Sequence, residues 1–367
     1  MEGLALKNLF GGSYSGRRVL ITGHTGFKGS WLALWLRSMG ADVAGLSLDP
    51  DTNPSHWELL GLDNVADYRV DIRNAAAVRE VFDLHKPEMV FHLAAQPLVR
   101  RSYRAPVNTF DVNLMGLIHV LEAIRNCSSV RTVVNATTDK VYGDHSTSDG
   151  YTETDSLGGH DPYSSSKACA EIVSACYRKS FFNTNTDGFS PRLATARAGN
   201  VIGGGDWAED RLVPDLVRAA ISGNSVKIRN PDATRPWQHV LEPLSAYLRL
   251  GQMLFEHDDY ADAWNFGPDT EDERSVKDVV SLLSATWPEL RIEIDKQYHP
   301  HEAAELHLNC EKAKQKLSWR PVWHLETALA KTGAWYRRYH ETGIINTADD
   351  LSAYLADARN QGVAWTR

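Results

Sequence analysis

The chain has 367 residues, 43% of them apolar and 23% charged, with a net charge of −8. That length exceeds one ordinary core and implies a large α/β domain with a smaller lobe, in a folded globular protein without repeats or low-complexity tracts. The acidic balance argues against nucleic acid or an anionic membrane as partner, and no stretch has the length and apolarity of a signal peptide or bilayer span, so a cytoplasmic protein is expected.

Cys127, Cys169, Cys176 and Cys310 show neither a Cys-x-x-Cys pair nor zinc-like spacing, which reads as free thiols in a reducing compartment. Residues 11–16 are a glycine-rich lead-in. The apolar run Arg18–Thr22 then predicts a strand that ends at Gly23-His24-Thr25-Gly26-Phe27-Lys28-Gly29, followed by the helical pattern Trp31, Leu32, Leu34, Trp35, Leu36. Three glycines at this spacing suit a tight turn that brings backbone amides to a pyrophosphate at a helix N-terminus, although an ordinary strand–helix turn has the same outline. A second strand over 42–48 leads to Ser47 and Asp49, either of which could hold an adenosine ribose. Asp49 could equally serve the turn before Pro50. No arginine follows closely in sequence, which favours NAD over NADP.

The alternation continues with a strand near Tyr68–Val70 closed by Asp71 and Ile72, a helix over 74–84, and a strand over 89–93 ending in Leu93, Ala94 and Ala95. Asp71 is a candidate for the adenine edge or a helix cap, and small residues at a strand end admit a close ligand. A long helix is expected from Val107 to Cys127. Asn113 lies inside it, where its poor helix propensity hints at a hydrogen-bonding duty. Strand 131–135 delivers Thr137-Thr138-Asp139-Lys140, a polar loop over 144–161 reads as a lid, and Pro162 opens a helix carrying Tyr163 and Lys167. Residues four apart share a helix face, so the ammonium is expected to lower the phenol's pKa toward neutrality. Strand 192–197 precedes the glycine-dense loop 198–206. Helices are expected at 211–222, 241–257, 275–285, 325–340 and 348–360, with short strands near 225–229, 263–266 and 291–294.

Thr-Gly-x-x-Gly-Phe-x-Gly at the first turn, Tyr-x-x-x-Lys on a later helix and the Val141-Tyr142-Gly143 strand end between them resemble the extended short-chain dehydrogenase/reductase superfamily. Within it, Gly23–Trp31, Thr138–Tyr142, Gly199–Trp207 and His301-Glu302-Ala303 resemble the CDP-glucose 4,6-dehydratases, which feed deoxysugar synthesis for surface polysaccharide such as lipopolysaccharide O-antigen. Lys140 is the informative position: dTDP-glucose dehydratases carry glutamate there, and plain UDP-hexose epimerases lack the acid–base pair. The resemblance implies a Rossmann-type doubly wound parallel sheet in residues 1–198 and a mixed α/β substrate lobe mainly in 199–367, with some segments returning to the sheet.

The resemblance also implies a redox-neutral reaction with bound NAD. Hydride leaves carbon 4, water is lost across carbons 5 and 6, and hydride returns to carbon 6. Tyr163 is the implied base at the 4-hydroxyl, with Lys167 on the nicotinamide ribose and Thr138 on the 4-oxygen. Asp139 fits the acid for the 6-hydroxyl if a dry pocket raises its pKa, and Lys140 the base for carbon 5 if burial and neighbouring Lys167 or nicotinamide charge lower its own; the alternatives are that Lys140 stabilises the enolate while Asp139 handles both protons, or that the two are a solvated ion pair. The NAD site takes in Gly23, Thr25, Gly26, Phe27, Lys28, Gly29, Ser47, Asp49, Asp71, Ile72, Leu93, Ala94, Ala95 and Asn113, besides Tyr163 and Lys167. Arg211 and Arg235 match the diphosphate positions, with Asn200 nearby, Trp207 and Trp237 as ligand contacts, and His301 at the nucleotide end. Two histidines and one acid at 299–302 do not make a metal site, and none is expected. The helices over 107–127 and from Pro162 resemble the pair that builds a homodimer's four-helix interface, alone or as a dimer of dimers. Other readings are a dTDP- or GDP-linked dehydratase, a UDP-hexose 4-epimerase, or a non-catalytic NAD-sensing regulator; the intact Tyr163, Lys167 and Asp139 speak against the last.

Overall fold

A computed structural model describes residues 6–143, 149–182, 190–295 and 307–367. Strands β1 (Arg18–Thr22), β2 (Asp42–Ser47), β3 (Ala66–Arg69), β4 (Met89–His92), β5 (Thr132–Ala136) and β6 (Arg192–Arg197) join strand Ala263–Asn265 in one sheet. Its order is Ala263–Asn265, β6, β5, β4, β1, β2, β3, and every pair is parallel. Every residue of β4 and β5 is buried, polar His92, Thr132 and Asn135 included, because helices cover both faces of the sheet. After β3 the chain crosses back to the other side of β1, so the connections leaving β1 and β4 part and open a crevice at their carboxyl ends.

One face is covered by the helices Ala75–His85, Leu117–Arg125 and Pro162–Ser180, which bury Phe82, Leu121 and Tyr177. The other carries Phe27–Ser38, Leu241–Glu256 and Thr347–Asn360. Trp31 and Trp35 lie fully buried there, as their helical spacing predicts. Residues beyond 341, whose role the sequence left open past a closing helix, complete this face: Trp365 stacks on Phe10 at 5.0 Å and meets Trp35 edge-on. A further apolar core joins Leu212–Ser222, Val276–Thr286 and Leu325–Thr342 around Trp335 and Tyr336.

The five helices expected in the second half are present within a few residues of their predicted ends, as are the three short strands. The helix expected over 107–127 is instead Pro106–Phe110, a π-helical turn Asp111–Gly116, and Leu117–Arg125. The short helix His56–Leu60 was not foreseen, although its capping signal stands in the sequence: Ser55 accepts the Glu58 amide and donates to the Glu58 carboxylate.

Candidate active site

A cavity of about 1310 Å³ runs along the carboxyl ends of the strands and under the second half of the chain. Drug-sized ligands occupy pockets of roughly 300–1,000 Å³, so this one has room for a dinucleotide and a second ligand together.

At one end lies the turn Gly23–Gly29. A Cβ on Gly29 would stand 2.1 Å from the Gly23 carbonyl oxygen, so only glycine lets the helix start this close to β1. The helix Phe27–Ser38 has no side-chain cap and no acidic residue in its first turn, which leaves its amides and partial positive charge to a phosphate. Thr25 Oγ1 is 2.7 Å from Ser47 Oγ and donates to the Leu48 carbonyl, fixing the β2 end beside the turn. Ser47, Asp49, Asp71, Ile72, Leu93, Ala94 and Ala95 all line the cavity, as their place at strand ends predicts.

Three expectations at this end change. Asp71 is not a helix cap: Asn74 accepts the Ala77 amide at 3.2 Å, while Asp71 chelates Arg73, which with that arginine's amide holds the carboxyl below its usual range. Asn113 is not among the cavity walls. Its amide is taken up by Gln96 and Ser166, so it braces the loop after β4 against the Tyr163 helix. An arginine does stand beside Ser47: Arg69 reaches it from β3 across the sheet, beyond the reach of a sequence window, and Asp67 and Asp49 engage it at 2.7 and 3.4 Å.

The middle of the cavity holds the catalytic candidates. Thr138, at the end of β5, caps the short turn Asp139–Val141 by accepting the Lys140 amide, and its hydroxyl donates to Asp139 Oδ1 at 2.9 Å. Asp139 is 1% exposed, and its Oδ2 has no hydrogen-bond partner among the described residues. A Cβ on Gly199 would stand 1.7 Å from that oxygen, so the glycine loop after β6 exists in part to admit this carboxylate. Tyr163 faces the Thr138 hydroxyl, and Asp161 caps its helix by accepting the Ser164 amide. Thr138, Asp139, Lys140, Tyr163 and Lys167 thus line one stretch of wall.

The electrostatics differ from the sequence expectation. Lys167 donates to the Ala136 carbonyl at 3.0 Å, and burial brings its ammonium down to about 8. Burial, with Asp139 adding to it, pushes the Tyr163 phenol up to about 12, and the Thr138 hydrogen bond and Arg211 oppose that rise. Lys167 bonds a backbone carbonyl and is not among the groups that act on the phenol, so the protein's own groups do not bring the phenol to neutrality. Lys28 lines the cavity and donates to the Tyr247 hydroxyl, 3.4 Å away, and burial followed by Arg211 brings it to about 8.

The other end is basic. Arg211 bonds Asp206 at 2.8 Å, and Arg235, 8% exposed, donates to the Thr234 carbonyl; both line the cavity with Asn200. Trp207 packs edge-on against Trp335, Tyr336 and Tyr339 and lines the cavity, as does Trp237. His299, His301 and Glu302 lie outside the described residues.

A family model for GDP-mannose 4,6 dehydratase matches residues 20–332. The chain belongs to that family. It is 45% identical to a CDP-glucose 4,6-dehydratase of Salmonella typhimurium over 349 residues, covering 94% of this chain and 97% of that one. A dTDP-glucose 4,6-dehydratase of Neisseria gonorrhoeae is 28% identical, with 87% and 95% covered. Among solved structures, a UDP-glucose 4-epimerase of Thermus thermophilus in complex with NAD is similar with a TM-score of 0.74 at 25% identity, covering 87% and 99%. An epimerase of Methanothermobacter thermautotrophicus reaches 0.81 at 22% identity, covering 92% and 96%.

Within this family fold, the sequence reading left Arg100, Arg101 and Arg218 unnamed as cavity walls. Arg218 follows Arg211 by two helical turns on one face, a spacing that was visible in sequence. Arg100 and Arg101 show no such signal. They pair with Asp210 and Asp51 at 2.7 Å each, contacts that only the fold creates.

Proposed function

We propose that this protein converts CDP-D-glucose to CDP-4-dehydro-6-deoxy-D-glucose and water as an NAD-dependent sugar-nucleotide 4,6-dehydratase. The observation that carries the chemistry is the Asp139 carboxylate, which lines the cavity with Tyr163 and Lys140 and has one buried oxygen without a hydrogen-bond partner among the described residues. The similarity over nearly the whole of both chains to a CDP-glucose 4,6-dehydratase supports the nucleotide.

NAD fits the uncapped helix terminus and the glycine turn, with Ser47, Asp49 and Asp71 at its adenosine end and Lys167 at its nicotinamide ribose. When bound it takes hydride from sugar carbon 4 and gives it back at carbon 6. Tyr163 removes the 4-hydroxyl proton, a task that needs further positive charge nearby because burial holds the phenol at about 12. Thr138, beside the phenol, positions the 4-oxygen. Asp139 Oδ2 protonates the departing 6-hydroxyl, and Lys140 takes the carbon-5 proton made acidic by the adjacent ketone. Arg211 and Arg235 offer guanidinium forks to the substrate diphosphate. Residues 1–198 serve NAD and 199–367 mainly the nucleotide sugar.

All four cysteines are free thiols and no described helix is long and apolar enough to cross a membrane, which supports a cytoplasmic site of action. Val107, Met115 and Ile172 are 82%, 42% and 58% exposed on the helices 106–125 and Pro162–Ser180, and support a homodimer through that face.

The test is incubation with NAD and, separately, CDP-, dTDP-, UDP- and GDP-glucose, scoring a 4-keto-6-deoxy product. Turnover of dTDP-glucose alone overturns the nucleotide assignment, and a C4 epimer that keeps its 6-hydroxyl overturns the dehydratase. Tyr163→Phe is expected to abolish reduction of bound NAD by substrate, about a 10³-fold loss or more. Lys140→Ala is expected to preserve that step and stall before water is lost, so that absorbance of reduced cofactor builds up. Both variants stopping at the same step would remove the division of labour.

A further inference from the structure

Directly behind the catalytic wall lies a buried polar cluster to which none of the roles above refers. Its centre is Glu171, 2% exposed and one helical turn beyond Lys167. Thr137, the residue before Thr138, donates to Glu171 Oε1 at 2.5 Å. Thr195 and Arg197 of β6 both donate to Oε2, at 2.7 and 3.0 Å. Arg197, 3% exposed, also donates to the Tyr142 hydroxyl at 2.8 Å and lies over its ring. Tyr142 OH donates in turn to Asn265 of the edge strand, whose amide holds the Tyr151 carbonyl, and the two tyrosine rings stack at 4.7 Å.

We propose that Glu171 is the positioning residue of the active site: its single carboxylate holds the β5 end, β6 and the Tyr163–Lys167 helix in register and keeps the Lys167 ammonium charged beside the Ala136 carbonyl. The inference rests on the dehydratase reading only for the use made of Lys167. Two features of the geometry carry it. Both carboxylate oxygens are occupied, and their donors come from two segments, the β5 end and β6, which the carboxylate joins to its own helix, so it acts as a joint where a surface residue could only decorate. A residue four places on also lies on the same helical face as Lys167, close enough for its negative charge to act through a dry interior.

Burial draws the Lys167 ammonium down, and Glu171 works against that. The other charged or titratable groups facing the pair are His92 from β4, Lys28 from the helix after the glycine turn, Arg178 on the shared helix and Arg197 from β6. The two arginines share Glu171's negative charge. Removing that charge must therefore lower the pH at which Lys167 gives up its proton, whereas removing Arg197 must raise it.

The experiment is competitive acetylation of the intact protein with acetic anhydride across the neutral and alkaline range, reading Lys167 by peptide mass spectrometry. Glu171→Gln is expected to move the Lys167 midpoint down by about one pH unit, Glu171→Asp to leave it near the wild-type value, and Thr195→Val, which removes one hydrogen bond but no charge, to leave it unmoved. Arg197→Gln, expected to move it up, keeps the idea exposed to failure should Glu171→Gln not fold. Midpoints unmoved in Glu171→Gln, or in Arg197→Gln where only that variant folds, overturn the assignment and leave Glu171 a structural group. Labelling needs no turnover, so a wild type that labels as stated but dehydrates no CDP-glucose overturns the dehydratase alone.

Discussion

The glycine turn takes its shape from seven consecutive residues, Gly23–Gly29, whereas the catalytic wall on the same edge of the sheet is assembled from the β5 end, the turn Asp139–Val141, the helix Pro162–Ser180 and the loop after β6. The first is held by backbone sterics, since Gly29 could carry no Cβ against the Gly23 carbonyl. The second is held by buried side-chain hydrogen bonds among residues up to 59 positions apart, as between Thr137 and the Ala196 carbonyl. A local device fails locally, in cofactor binding and stability. A non-local one is expected to fail in chemistry first, because each partner is a side chain that can swing aside while the sheet stays intact.

Gly199→Ala is the sharpest way to break that contrast. Its new Cβ would overlap Asp139 Oδ2, and the carboxylate would turn away from the cavity. Dehydration should fall by about 10³-fold, in the range of a lost general acid, with melting temperature and NAD retention nearly unchanged. A large fall in melting temperature instead would show that the catalytic wall is as steric as the turn. Gly29→Ala should do the reverse, because the obstacle is backbone. A stability loss of about 3 kcal/mol and release of NAD on gel filtration are expected together, and retained NAD would show that the turn has slack.

The smallest effect tests a non-local joint away from the cavity. Glu242 is 1% exposed and accepts hydrogen bonds from the Val322 and Trp323 amides and the Tyr354 hydroxyl. Burial pushes its carboxyl up to about 7, against an ordinary value of 4.5. The folded chain therefore holds a proton there that the unfolded chain has released. The stabilisation is fully present below pH 4.5, is lost as pH rises through about 7, and amounts to roughly 1–3 kcal/mol. Denaturant melts across that window should show wild type losing stability relative to Glu242→Gln. A constant difference would mean that the carboxyl titrates normally.

The same contrast explains what the sequence could reveal. The strands of the main sheet, the second-half helices and the glycine turn were legible because apolar periodicity and glycine spacing are local signals, whereas the short strands Val201–Ile202, Thr234–Pro236, Gln238–His239 and Glu273–Ser275 were not. Thr138, Asp139, Tyr163 and Lys167 could be named as a set from two short motifs and a family likeness, yet their electrostatics could not. The sequence suggested that Lys167 lowers the Tyr163 phenol, whereas the fold ties the lysine to Ala136 and leaves burial to decide. Arg69 beside Ser47 and Arg101 beside Asp51 were out of reach for the same reason, since neighbours across a sheet or a cleft leave no mark along the chain.

The π-helical turn at Asp111–Gly116 has a consequence of another kind. Such a turn fits one more residue into a helical path than regular α geometry needs, and the flanking segments keep their faces. Pro106–Phe110 and Leu117–Arg125 thus continue one helical path, with the extra residue taken up between them. The bulge carries Asn113, which ties the loop after β4 to the Tyr163 helix. Deleting one residue within the bulge is expected to restore regular α geometry, keep Leu117 and Leu121 in the core and lose the Asn113 tie, so the extra residue is what lets a wall helix also steady the active site.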